Sequence, residues 1–417
     1  MIKYSKTIYS ICVIVLLVLP TALFSQNNTS SPYSVFGIGD LSNVAYGRNV
    51  ALGGTGYALR GANFLNLKNP ASLTSIDTLS FLFETGVFLK YTQNTSEINR
   101  YFPDGNLSHL TFGHRYTPWL MGNYGIMPLS DIGYHFRTIK TTEGEESIIY
   151  TDWIGSGGFN KLFYGLGLKI SKNFSLGGEA AYIYGPLVQT RKTTALVNPE
   201  NTTTYYANSR YSGFTFKGGF QFSANLGSKG SNLTLGGVFS PAQQLGGRSI
   251  VSIQQSYSSS VAVEVYNKET RADKIYLPMN YGGGASLIWR SKFLLTADYE
   301  FAPWSDNNSR EYIDQQIFSA GFELLPKSSL KYFERCSYRA GFRYDTRYFK
   351  SKGHTIDDMR FSIGAGFPMQ KSRSTLNVSI EAGQRGTISS GLIRERYAKL
   401  NLAFSLHDYW FVKRKFD

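Results

Sequence analysis

The sequence predicts an all-β, transmembrane, up-and-down antiparallel β-barrel of about fourteen strands, on three observations. The first is alternation. Between Tyr338 and Asp345 the even positions Tyr338, Ala340, Phe342 and Tyr344 are apolar or aromatic. The odd positions are Arg339, Gly341, Arg343 and Asp345. A strand sends these two sets to opposite faces. The same rule holds in 214–222, 293–301, 359–367, 375–382 and 398–407, with Leu294 as one apolar residue on a polar face. Nothing else in the chain covers so many greasy faces, so they are read as facing lipid around a polar lumen. The second observation is composition: 29 Tyr, 29 Phe and 42 Gly in 417 residues. Aromatics form interface girdles in membrane barrels, and Gly relieves crowding where strands bend. The third is that long polar connections alternate with short ones, as outside loops and periplasmic turns do.

Taken in order, residues 1–25 read as a signal peptide. Lys3 and Lys6 precede an apolar run over 8–24 that is broken by Pro20. Cleavage is placed near Ser25 and Gln26, with Leu23 only half meeting the small-residue rule. A membrane-anchoring helix is the other reading. The run is short for a span, and Gln26-Asn27-Asn28-Thr29 is a polar exit. No Cys follows the cleavage point, so a lipid anchor is not expected. Cys336 is the only cysteine past the signal, which excludes an internal disulfide and a cysteine metal cluster.

Residues 26–78 do not alternate. They are turn-rich and Gly-rich, large enough to plug a lumen, and too apolar for a disordered periplasmic tail. The barrel is expected over 79–417. Its strands are read as 79–91, 108–117, 121–138, 147–170, 175–187, 209–225, 231–240, 276–289, 292–302, 315–325, 336–347, 358–367, 374–384 and 397–411. Long connections at 92–107, 188–208 and 241–275 alternate with short ones such as Thr117 to Leu120 and Arg290-Ser291. Segment 147–170 is read as one strand bent at Gly155-Ser156-Gly157-Gly158, since splitting it breaks that alternation. An even count leaves both ends in the periplasm. Pro128 interrupts the third strand and implies a bulge or kink.

The formal net charge is +14, but Lys and Arg are spread through strands and turns. Lipid phosphates or an acidic protein surface suit that distribution better than nucleic acid. The basic Lys413-Arg414-Lys415 follows Trp410-Phe411, as where a strand leaves lipid for headgroups. Glu84, Lys90, Lys217, Asp298, Glu300, Arg339, Arg343, Asp345, Arg360, Glu381 and Lys399 fall on the polar parity. Unpaired charge in a narrow lumen is costly, so an ion-paired interior is expected, docking the N-terminal segment through Asp40, Arg48 and Arg60. A polar conduit is the functional alternative.

Catalytic signals are weak. His109, His114, His135, His354 and His407 show no two-residue spacing that would place two imidazoles on one strand face. Ser405 and His407 share a face but read as ordinary lumen residues. No Gly-x-Ser-x-Gly elbow occurs, and Gly53-Gly54-Thr55-Gly56 and Gly282-Gly283-Gly284 lack the Lys-Ser/Thr of a phosphate loop. No enzyme, cofactor or metal is expected.

The chain resembles the FadL family of outer-membrane transporters. The residues carrying the resemblance are Leu52-Gly53-Gly54 with Gly56, Asn69-Pro70-Ala71, the run Gly125 to Tyr134, Gly155 to Gly158, Asp298-Tyr299-Glu300 with Trp304, and Tyr338 to Gly341. The opening Ser31 to Asp40 and the closing Asp408 to Lys415 are similar to a branch that includes barrels of type IX secretion, of the PorV and plug kinds. The resemblance implies an N-terminal hatch and a kinked third strand. Gly125, Met127, Pro128 and Gly133 would then frame a lateral gate; a bulge without a gap is the other reading. It also implies a Gram-negative outer membrane and gated passage of hydrophobic, fatty-acid-like molecules. The rival function is a non-transport barrel bound to a type IX secretion or barrel-assembly complex. Tyr205, Tyr206, Tyr211, Tyr257 and residues 261–265 are candidates for its contact surface. An outer-membrane lipid enzyme is a distant third.

Overall fold

The computed structural model describes residues 29–42, 45–77, 79–96, 98–141, 148–196, 201–227, 230–258, 261–307, 311–369 and 373–409, without the side chains of Ser258, Val261 and Asn307. The signal segment 1–25 and the basic cluster 413–415 lie outside the described residues.

The alternating segments pair into a closed antiparallel ring. Its strands are β1 (Ser80–Thr95), β2 (Asn99–Arg115), β3 (Leu120–Thr141), β4 (Ile148–Lys169), β5 (Phe174–Ala195), β6 (Thr202–Asn225) and β7 (Asn232–Ser240). After a hairpin of β8 (Gln243–Ser258) and β9 (Val261–Leu277), the ring resumes with β10 (Asn280–Trp289), β11 (Phe293–Ala302), β12 (Gln315–Leu324) and β13 (Ser337–Asp345). It ends with β14 (Asp358–Pro368), β15 (Thr375–Arg385) and β16 (Arg394–Tyr409). β7 pairs directly with β10, and β16 pairs with β1 from Arg394↔Thr95 to Tyr409↔Ser80. Leaving the hairpin aside, fourteen strands close the barrel, as the alternation predicts.

Parity sorts the two faces. On β11, Leu295 and Tyr299 are 50% and 41% exposed, while Asp298 is 7% exposed in the lumen. Leu294, the residue that broke the polar pattern, is also buried. It packs on Leu52 and Leu59 of the N-terminal segment, which supplies apolar partners inside the lumen.

Segment 147–170 is one strand, bent where Gly157 and Gly158 take φ of 123° and 143°. The long connections differ from expectation. β1 and β2 run on to Thr95 and from Asn99, and β5 and β6 to Ala195 and from Thr202. Region 241–275 is mostly the β8–β9 hairpin, and β8 pairs with the upper half of β6 from Thr202↔Ser256 to Ser212↔Gly246. These stretches carry Thr, Tyr, Gln and charged residues on both faces. Such residues suit a strand standing in water as well as a loop, so they carry no lipid-facing alternation. A strand of 22 residues reaches roughly 70 Å, far beyond an apolar band of about 25 Å. One side of the barrel, β3 to β6 with β8 and β9, therefore rises as a wall past the membrane.

A Cβ at Gly158 would collide with the carbonyl of Ser130, in a backbone region that L residues rarely adopt. Gly158→Ala is expected to destabilise the barrel by about 1–3 kcal/mol, lowering the temperature at which the unheated, folded electrophoretic band disappears. Gly178→Ala, where no atom lies within 4 Å of the added methyl, is expected to leave it unchanged.

Candidate functional site

Residues 29–42 and 45–77 lie inside the barrel and touch strands around the whole ring. Their local shape follows from sequence. Asn69 accepts from the amide of Ala71 at 3.0 Å and starts a short 3-10 turn, Pro70–Ser75, with Pro at its first position. Gly47–Leu52 is a second such turn, ended by Gly53 and Gly54 at φ of 68° and 84°. Gly53 then lies against the backbone of Phe342, where a Cβ would clash, and its amide donates to Ser362 Oγ at 3.1 Å. The wall opposite is also glycine. Gly341 and Gly321 underlie Leu52 and Gly53, and Gly177 and Gly219 underlie Asn69 and Pro70. Of the resemblance motif, Gly53, Asn69, Pro70 and Ala71 therefore lie directly against wall glycines or wall backbone, Gly56 reaches the wall through its amide to Asp298, and Gly54 accepts from Lys68 within the segment.

The lumen charges meet this segment. Asp298 accepts from the amides of Gly56 (2.7 Å) and Tyr57 (3.2 Å) and from Lys68 Nζ (3.4 Å). Glu300 accepts from the Tyr57 hydroxyl at 2.8 Å. Glu84 accepts from the Leu65 amide at 3.1 Å and Ser405 at 2.7 Å. Arg48 pairs with Glu323, which also binds Arg339 at 3.0 Å. Arg343 lies 3.6 Å from Asp345, and Arg360 lies 3.8 Å from Glu381. Asp40 pairs with Arg347 and, at 2.9 Å, with Arg385, which holds Asp358 and Glu395 as well. Arg60 donates to Gln221 at 3.0 Å and Thr74 at 2.7 Å. The residues expected to dock the segment, Asp40, Arg48 and Arg60, all do so. Lys90 and Lys399 lie on the rings of Tyr397 (5.1 Å) and Phe88 (4.0 Å).

Sequence reasoning missed Lys68, Glu179, Glu323, Arg347, Arg385 and Glu395. Glu323 stands on the polar parity of its predicted strand and was legible there. Arg385 and Glu395 fall one and two residues outside predicted strands, so parity did not reach them; Arg347 ends the predicted strand 336–347 on the polar parity of Arg339, Arg343 and Asp345, and was legible there as Glu323 was. Burial opposes ionisation of Asp40, but Arg385 and Arg347 outweigh it and hold its carboxyl well below the ordinary range. Ser405 and His407, the pair weighed for catalysis, are engaged apart: Ser405 donates to Glu84, and the His407 ring packs on Tyr409 at 5.2 Å.

The ring has one weak seam. β2 and β3 pair only from Leu110↔Ile126 to Arg115↔Met121. Above that point β3 turns away through a bulge between Pro128 and Ser130. The strand Asp40–Leu41 fills the exposed edge, pairing with Asp131 and Ser130. The Ser42 amide donates to Leu129 O at 2.9 Å. Of the four residues assigned to a gate, Gly125 lies within the paired ladder, and Met127 is buried on the luminal side with Leu65 and Leu67. Pro128 O accepts from Tyr46, and the Gly133 amide donates to Ser34 Oγ at 3.0 Å. Higher up, between Phe102 and Pro103 of β2 and Tyr134 and Phe136 of β3, the seam widens into a cleft of about 830 Å³ floored by Thr29 and Pro32. Inside the barrel, a cavity of about 230 Å³ lies above the segment beside Leu41, Lys161 and Lys217. Another of about 250 Å³ lies below it beside Arg48 and Phe64, and the two share no lining residue.

Comparison with known proteins adds three findings. The family model described as BamG matches residues 1–417. No curated protein matches the chain. Solved structures share its fold at low identity. The CymD monoaromatic hydrocarbon channel is 14% identical, with 88% of this chain and 99% of that one covered and a TM-score of 0.59. The Ralstonia pickettii toluene transporter TbuX is 13% identical, with 88% and 99% covered and a TM-score of 0.58. A Pseudomonas aeruginosa FadL homologue is 12% identical, with 90% and 99% covered and a TM-score of 0.59. A closed barrel with an apolar outer band is an outer-membrane architecture, here with Ser80 and Tyr409 at its periplasmic end.

Asp40→Asn removes the charge that joins Arg347 and Arg385. The variant is expected to lose about 3 kcal/mol at neutral pH, read as a lower unfolding midpoint in detergent. Because the folded-state pKa of Asp40 is depressed, its stabilisation is present above about pH 4 and is lost as pH falls through the folded value. The gap between wild type and variant is therefore expected to be full at pH 7 and smaller at pH 3.

Proposed function

Because the chain belongs to the BamG family, we propose that it serves as a non-catalytic barrel subunit of an outer-membrane barrel-assembly complex. The observation that carries this reading is the pinned segment in the lumen. Residues 29–42 and 45–77 are tied to strands all around the ring through buried ion pairs and backbone contacts, and the cavities above and below share no lining residue. A barrel pinned in this way suits a rigid scaffold better than a conduit. The tall wall supports the same reading, since it offers a large surface beyond the lipid without any role in crossing it. Nothing in the comparisons bears on type IX secretion, so the partner named is the assembly machine.

Gentle detergent extraction of the native protein with a tag tests this. Stoichiometric recovery of other outer-membrane proteins is expected; co-purified lipid alone sinks the proposal.

One observation favours a second reading, lateral passage of apolar molecules. The β2–β3 ladder stops at Ile126, and residues 29–77 act as the hatch behind the opening. On that reading Pro128 and Gly133 flank the gate, while Gly125 and Met127 anchor its lower edge. Asn106 Nδ2 lies 3.5 Å from Asp131 Oδ1 across the seam. A short cross-link between cysteines at these two positions is expected to abolish uptake of an apolar fluorescent probe if the seam conducts. Unchanged uptake removes this second reading.

A further inference from the structure

The wall beyond the membrane ends in an unpaired strand. β9 pairs with β8 along its length, from Val261↔Ser258 to Leu277↔Gln243. Among the described residues no strand pairs with its other edge. Both faces of this strand are open: every side chain from Ala262 to Glu269 is exposed. A long exposed edge of Val, Tyr and Ala is a template for another strand, and folded proteins normally cover such an edge or blunt it. Glu264, Lys268 and a bulge at Val265 blunt this edge in part, against a stranger of the wrong charge or register, while Val263 and Tyr266 keep apolar surface open beside it.

The face beside that edge is shaped for contact. One register row crosses the wall from Phe136 through Trp153, Arg191, Tyr205 and Ile253 to Tyr266. The row points toward the barrel axis, because Tyr205 has the parity of Ala207 and Tyr211, which are buried on the lumen side. Phe136 and Trp153 stack at 6.3 Å, and the Arg191 guanidinium lies between Trp153 (5.6 Å) and Tyr205 (5.2 Å). The opposite face of β9 bears Glu264, Asn267, Glu269 and Arg271.

We propose that β9 is a strand-addition site, where an extended segment of a different polypeptide pairs with residues 262–269. That segment carries aliphatic or aromatic side chains on its axis-facing side, continuing the row past Tyr266, and polar ones on the other. A second copy of this chain does not fit. Two copies in one membrane are related by an axis along the membrane normal, and that rotation turns the axis-facing side of one β9 to the opposite side of the seam, so the row ending at Tyr266 in one copy is not continued by the other. The inference rests on the subunit reading above and identifies the surface through which the subunit is held.

The test uses the full chain in its native outer membrane. A photo-crosslinking amino acid in place of Tyr266 or Val263 is expected to give one adduct, with a polypeptide other than this chain, mapped to a short extended segment. The same amino acid at the lipid-facing Tyr281 is expected not to give it. Val263→Pro removes an amide from the strand and is expected to lower recovery of that polypeptide at least about tenfold, with the unheated barrel band intact. An adduct only with a second copy or with lipopolysaccharide overturns the proposal, as does no adduct at all or undiminished recovery with Val263→Pro. If the wild type brings down no stoichiometric partner, the subunit reading fails. If a partner is recovered equally with the variant, only the strand-addition site fails.

Discussion

Charge confined in a narrow lumen is the constraint from which the rest of this structure follows. An isolated carboxylate or guanidinium out of water costs several kcal/mol, and removing one member of a buried pair leaves the other stranded. Asp298 finds its partners in the Gly56 and Tyr57 amides and Lys68, and Glu323 finds one of its two in Arg48. Arg347 and Arg385 meet at Asp40. Removing residues 29–77 would strip each of these wall charges of a partner. The barrel interior and the segment inside it are therefore one electrostatic unit.

That unit explains where glycine is needed. Charge pairing draws the segment onto the wall, and the final approach is backbone to backbone. Gly53 against Gly341 and Asn69-Pro70 against Gly177 and Gly219 leave no room for a Cβ. It also explains why the seam between β2 and β3 is stoppered. The bulge after Pro128 turns β3 off its neighbour, and Asp40–Leu41 takes the vacated edge, with Asp40 held in place by the two arginines. The same aspartate thus serves the ion-pair network and the sheet.

Above the membrane the constraint is lifted, and the chain uses strands differently. Water satisfies backbone and side chains alike, so β3 to β6, β8 and β9 form an open sheet with free edges, where the lipid-embedded part has a closed ring. An open edge is forbidden within hydrocarbon. Outside it, an edge is a means of recognition. Closed ring and open wall in one set of strands divide the molecule into an anchor and a presenting surface.

Much of this was legible in the sequence. Lipid on one face and a polar lumen on the other impose a period of two. That period specifies the barrel and the inward set from Glu84 to Lys399, and together with the alternation of long and short connections it gives the number of ring strands and the single strand bent at Gly155 to Gly158. Parity also exposed Leu294 as an exception, although only the fold shows Leu52 and Leu59 waiting for it. What parity could not supply was partnership. Nothing in the spacing joins Asp40 to Arg347 and Arg385, or Gly53 to Gly341, because these contacts cross the lumen between residues some three hundred positions apart. The upper strands were equally hidden, since a sheet edge in water needs no alternation between lipid and lumen. One-dimensional pattern records the solvent on each side of a strand; which groups meet across the barrel is decided by closure of the ring in three dimensions.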